Sequence, residues 1–180
     1  MMIDGQALDR IYSRIVARDL DSAIGLLNSL PANTQTNWEA HRAWGLIECE
    51  RGNFNSCIEH INRALALNSS DATSFVCAGR AYRGLGDLRS ANLNLRQALA
   101  IEPGRFDAHL NLALVLWSMK DFLRARTFFE NLLAMGAEIA VANQYLGHIC
   151  EESGDFAGAL HHYEAAYRHD PQSEQALSSL

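Results

Sequence analysis

Apolar and small residues recur along this chain at the i, i+3, i+4, i+7 spacing of amphipathic helices, broken at regular intervals by short polar turns. Between Ala72 and Arg105, one helical face is marked by Phe75, Ala78, Gly79 and Tyr82, and a second by Ala91, Leu95, Ala98 and Leu99. Gly86 separates them, since a residue able to take the left-handed conformation ends a helix just past its last turn. Asp87 follows as an N-cap whose carboxylate can accept from the unpaired amides of the second helix. Pro103 marks the end of that helix, because proline cannot continue the hydrogen-bond ladder. The predicted element is a pair of helices joined by a tight turn.

This element recurs every 34 residues. Its turn reads Arg51-Gly52-Asn53-Phe54, Leu85-Gly86-Asp87-Leu88, Met119-Lys120-Asp121-Phe122 and Ser153-Gly154-Asp155-Phe156, with a weaker copy at Ala17-Arg18-Asp19-Leu20. The first position of the second helix face is always small: Ala23, Cys57, Ala91, Ala125 and Ala159. Four residues on stand the larger packing residues Leu27, Ile61, Leu95, Phe129 and Tyr163. Asp19, Asn53, Asp87, Asp121 and Asp155 are all good N-cap types. Agreement of turn, cap and packing positions over five copies predicts a solenoid whose units each touch only their neighbours. The units run 1–37, 38–71, 72–105, 106–139 and 140–173, the first a degenerate capping unit. Residues 174–180 begin a further helix with Leu177 and Leu180 on one side, too short for a good cap, so the chain stops early or was trimmed from a longer polypeptide.

The pattern resembles the tetratricopeptide repeat, whose unit reads W-x2-L-G-x2-Y followed by a small residue, an aromatic, an alanine and a proline. Phe75-x2-Ala78-Gly79-x2-Tyr82…Ala91…Leu95…Ala98…Pro103 carries the resemblance. So does Asn143-x2-Leu146-Gly147-x2-Cys150…Ala159…Tyr163…Ala166…Pro171, and Trp44-Gly45 anchors the repeat at 38–71. The copy at 106–139 departs most, with Ala113 for the glycine, Lys120 at the turn and Ala137 for the proline. The N-terminal unit has Arg10 and Ile11 where Leu-Gly is usual. The resemblance implies an all-α, right-handed superhelical solenoid of antiparallel helix pairs. It also implies that first helices line a concave groove and that the chain serves as a protein- or peptide-binding scaffold.

Composition removes several other functions. The net charge of −6 argues against non-specific nucleic-acid or anionic-membrane binding, which need a basic surface. No basic cluster and apolar run opens the sequence, and no stretch approaches 18 apolar residues. Cys49, Cys57, Cys77 and Cys150 show no CxxC spacing and read as reduced residues of a cytosolic protein. The seven histidines include His148, on a different helix face from Cys150, and the adjacent, diverging His161 and His162. With no metal spacing, phosphate loop or nucleophile motif, no catalytic residue, cofactor or metal is assigned.

The groove positions implied by the resemblance give the candidate site. Leu110, Leu114 and Trp117 form an apolar stripe on a face that water should reach, and exposed apolar area with a tryptophan anchor marks binding surfaces. The competing reading is that Trp117 packs sideways against a neighbouring helix. Gln144, Tyr145 and His148 occupy groove positions of the next repeat. Residues 72–105 carry five arginines against two acids, and 140–173 one arginine against five acids, so charge is polarised along the chain. Arg80 and Arg83 would face the groove and could fork a carboxylate, or else belong to a solvated face in an arginine-rich chain. The expected ligand is an extended segment or partner helix with an apolar residue at Leu110, Leu114 and Trp117 and acidic groups toward Arg80 and Arg83. The groove lacks the lysine, asparagine and arginine set of the family's chaperone clamps. The alternatives are homo-oligomerisation through the terminal helices and a role as N-terminal adaptor of a larger enzyme such as a bacterial transferase.

Overall fold

The computed structural model describes residues 5–32, 34 and 37–171. Among these, every regular element is an α-helix: α1 (Gly5–Val16), α2 (Leu20–Asn28), α3 (Trp38–Glu50), α4 (Phe54–Leu67), α5 (Ala72–Gly84), α6 (Leu88–Ile101), α7 (Phe106–Ser118), α8 (Phe122–Ala134), α9 (Ile139–Glu152) and α10 (Phe156–His169). Consecutive odd and even helices pack as hairpins, the arrangement of an all-α tetratricopeptide-type solenoid. The further helix expected over 174–180 lies outside the described residues. No described helix is long and apolar enough to cross a membrane.

The five hairpin turns share one chemistry. After α5, the Asp87 amide donates to the Tyr82 carbonyl at 2.9 Å and the Gly86 amide to Arg83 at 3.0 Å. This paired closure satisfies carbonyls that the helix end leaves orphaned. It needs a left-handed residue, and Gly86 supplies one with φ +78°. Arg18 (φ 58°) and Lys120 (φ 59°) make the same closure without glycine. Relieving that strain with Lys120→Gly should stabilise the protein by about 1 kcal/mol, read as a rise in the urea midpoint. A fall would mean that the lysine side chain contributes more than its backbone costs.

Caps on the second helices follow the expectation in four copies. Asp19, Asp87, Asp121 and Asp155 accept from the amides of Ser22, Ser90, Arg124 and Gly158. Asn53 departs: it makes no cap bond, and its side-chain amide donates instead to Glu48 at 2.7 Å. The copy at 106–139, with Ala137 in place of the proline, ends its second helix by another route, with Gly136 at φ +67° and the Ala137 amide closing onto Leu132.

Burial follows the repeat register. Ala23, Cys57, Ala91, Ala125 and Ala159 are buried, as are Leu27, Ile61, Leu95, Phe129 and Tyr163. The small first position lets paired helices approach closely. At Gly79 the approach is so tight that a β-carbon would lie 2.5 Å from the Leu95 side chain.

The helices divide into two compact units, residues 1–103 and 104–180. In the first, α3 packs on α1, α2, α4 and α5. One apolar cluster there gathers Leu8, Ile11, Leu27, Ala43 and Ile47, and another holds Cys49, Cys57, Ile61, Cys77, Ala78 and Ala81. In the second, α8 packs on α7 and α9, and α9 on α10.

Candidate functional site

Two of the eight candidate residues, Arg80 and Arg83, belong to the first unit, on α5. Arg80 donates to Glu50 of α3 at 2.6 Å, so its guanidinium already has a carboxylate partner within the fold. Arg83 lines a cleft with Cys49, Glu50, Phe54 and Arg80. Arg80→Glu would set a carboxylate against Glu50, so its effect on binding would be mixed with an effect on folding.

Arg42, on α3 of the same unit, has a structural role. Arg42 donates to the buried carboxylate of Asp71 at 3.0 Å and, through Nε, to the Tyr12 hydroxyl at 2.9 Å. Its guanidinium also lies over the rings of Tyr12 and Trp38, 4.9 and 4.8 Å from their centroids. Asp71 in turn caps α5 by accepting from the Ser74 amide at 3.1 Å.

The same unit brings together three residues that share no motif in the sequence and carry no metal assignment there. Cys49 of α3, Cys57 of α4 and Cys77 of α5 place their sulfurs within 4.8 Å of one another. Cys57 and Cys77 are 3.5 Å apart. All three are buried, free thiols. Hydrogen bonds from Cys57 and Cys77, with Arg80 and Arg83 nearby, hold Cys49 below the usual thiol range. Donation toward Cys49 raises both Cys57 and Cys77 above that range. Motif scanning misses this group because its members lie 8 and 20 residues apart on three helices. The repeat register could have found it.

The other six candidates belong to the second unit. Leu110, Leu114 and Trp117 on α7 are half-buried, as are Gln144, Tyr145 and His148 on α9. Trp117 does pack sideways: its ring lies 4.8 Å from Phe122, 5.5 Å edge-on from Tyr145 and 6.0 Å from His148. Tyr145 stacks on buried Phe129 at 5.0 Å, nearly parallel. The stripe is therefore the open edge of an aromatic cluster, with one side of Trp117 committed to packing.

His148 is positioned from behind. Its Nδ1 lies 2.8 Å from the Tyr163 hydroxyl, which donates to Glu151. That bond, followed by the contact with His148, holds the Glu151 carboxyl below its ordinary range, while burial pushes the Tyr163 phenol above its own. The sequence predicts Tyr163 only as a packing residue, yet its polar end also ties α10 to α9. Gln144 and Leu114 have no role in this network.

Two models of the tetratricopeptide repeat match the chain, one over residues 82–143 and one over 140–173, together just over half its length. No curated protein sequence matches it. Among solved structures it is similar to MamA, with a TM-score of 0.76 and 22% identity over 89% of this chain and 94% of that one. It is also similar to TTC0263, a thermophilic TPR protein of Thermus thermophilus, with a TM-score of 0.74 and 18% identity over 96% and 94%. A third likeness is to YrrB, described as a TPR protein with an unusual peptide-binding site, with a TM-score of 0.75 and 14% identity over 96% and 89%. These likenesses concern the fold, and together with the repeat models and the five-fold register they show that the chain belongs to the tetratricopeptide repeat family.

Proposed function

We propose that this chain is a protein-interaction scaffold that holds a peptide segment or partner helix against the first helices of its second unit. The observation that carries the reading is the half-exposed apolar edge formed by Leu110, Leu114 and Trp117 on α7, continued by Tyr145 on α9. Large aromatic side chains fixed by packing lose little conformational freedom on binding and make effective anchors. Trp117 meets that condition, held from one side by Phe122 and Tyr145. Gln144 and His148 supply polar groups beside the edge, so the ligand is a segment with an apolar anchor flanked by hydrogen-bonding groups. The peptide-binding site ascribed to YrrB, which shares the fold, supports the same class of ligand.

The test is a peptide-display selection on the wild-type chain, followed by affinity measurements on the best sequences. Trp117→Ala should weaken binding about 30-fold, the loss typical of an aromatic anchor, while the helical circular dichroism signal is kept. Selected peptides that bind the folded variant as tightly as wild type would remove this edge from the function.

A further inference from the structure

We propose that Cys49, Cys57 and Cys77 form a buried three-thiolate site for one soft, thiophilic metal ion, monovalent copper. Packing alone does not ask for sulfur at these places. The corresponding positions one repeat earlier hold Ile15, Ala23 and Ala43, all buried in one apolar cluster. Two repeats later they hold Trp117, Ala125 and Tyr145, and there too the first and last meet, as touching rings. Both of those copies place apolar residues at these positions, although the copy between them has Arg83, Ala91 and Asn111, and in the present copy all three are cysteine. Three of the chain's four cysteines stand at this one spot.

The geometry suits an ion. A metal–sulfur bond of about 2.3 Å sets ligand sulfurs about 4 Å apart around a shared ion; the three here lie within 4.8 Å of one another, with Cys57 and Cys77 at 3.5 Å. Small side-chain rotations would complete the set. Thiolate is the donor that selects copper(I), zinc and iron–sulfur chemistry over harder cations. Among the described residues no histidine, aspartate, glutamate or further cysteine joins the three within the same distance. A structural zinc site closes with four protein ligands. Copper(I), with its lower charge, is satisfied by three sulfurs, so the ligand count favours it.

Access and charge agree. Cys49 lines a cleft with Glu50, Arg80 and Arg83, so the cleft reaches one member of the triad. Arg83 and the Glu50-paired Arg80 leave that mouth with a net positive charge, which favours the anionic thiolates that a soft cation needs. Thiol protons displaced by the ion leave through the same cleft.

The full chain, kept reduced and free of oxygen, would be titrated with copper(I) against a chromophoric copper(I) chelator. The expected result is one copper per chain with a near-ultraviolet sulfur-to-copper charge-transfer band. Cys57→Ala and Cys77→Ala install the residues found one repeat earlier, so both should stay folded, and each should weaken copper binding by at least about 100-fold. Cys49→Ser at the cleft edge is a second, independent probe with the same expected loss. Cys150→Ala should bind as wild type does. Failure of the wild-type chain to hold copper against the chelator would overturn the proposal. So would retention of copper by the folded variants of the triad, or tighter binding of zinc(II) than of copper(I).

Discussion

Phe129→Ala is expected to lower the unfolding free energy by about 3–5 kcal/mol, the cost of emptying a closed aromatic site. Phe129 is fully buried at the larger packing position of its repeat. Its ring stacks on Tyr145 at 5.0 Å with the planes only 5° apart, and Tyr145 in turn touches Trp117. Truncation removes both the transfer energy of the ring and the support of Tyr145, and helices flanked by close-packed neighbours collapse only partly into the gap. Because each repeat unit relies on its neighbours, the loss should appear first as faster amide exchange in α7–α10. Chemical denaturation of wild type and variant checks the magnitude. A loss below about 1 kcal/mol would show that the cavity is filled by rearrangement.

Arg42→Leu should cost about 3 kcal/mol, for a different reason. Leucine can fill much of the space, but the Asp71 carboxylate remains buried with its guanidinium partner removed. Asp71 keeps its bonds from Ser74, so the penalty is that of an uncompensated charge and not of a lost cap. Adding Asp71→Asn to the leucine variant should recover part of the loss, since an amide can still cap α5 without carrying charge. A double-mutant cycle over Arg42 and Asp71 reads this directly. Strict additivity of the two changes would show that the pair is not coupled.

The contrast between these two residues explains what the sequence reveals. Phe129 is legible because a strict period carries its environment: Leu27, Ile61, Leu95 and Tyr163 stand at the same place, and all are buried. Arg42 is not, because its partner is set by one local choice, an aspartate 29 residues on, that no other copy repeats. Its burial and its partners emerge only when α1 and α3 and the cap of α5 are assembled around it. Asn53 shows the reverse error, where a good cap type is drawn away by a nearby carboxylate, Glu48. At the candidate site, the register places Trp117, Tyr145 and His148 on successive first helices but does not show how much of each ring is spent on packing. The thiol cluster is hidden from a search for local metal motifs, since its sulfurs meet only through the repeat geometry.

The central functional claim is that the second unit receives its ligand along α7 and α9. Amide hydrogen exchange on the wild-type chain, with and without a display-selected peptide, addresses it most directly. Slowed exchange confined to the segments around 110–117 and 144–148 is the expected result. Protection that falls on α8 and α10 while those two segments exchange unchanged would contradict the account.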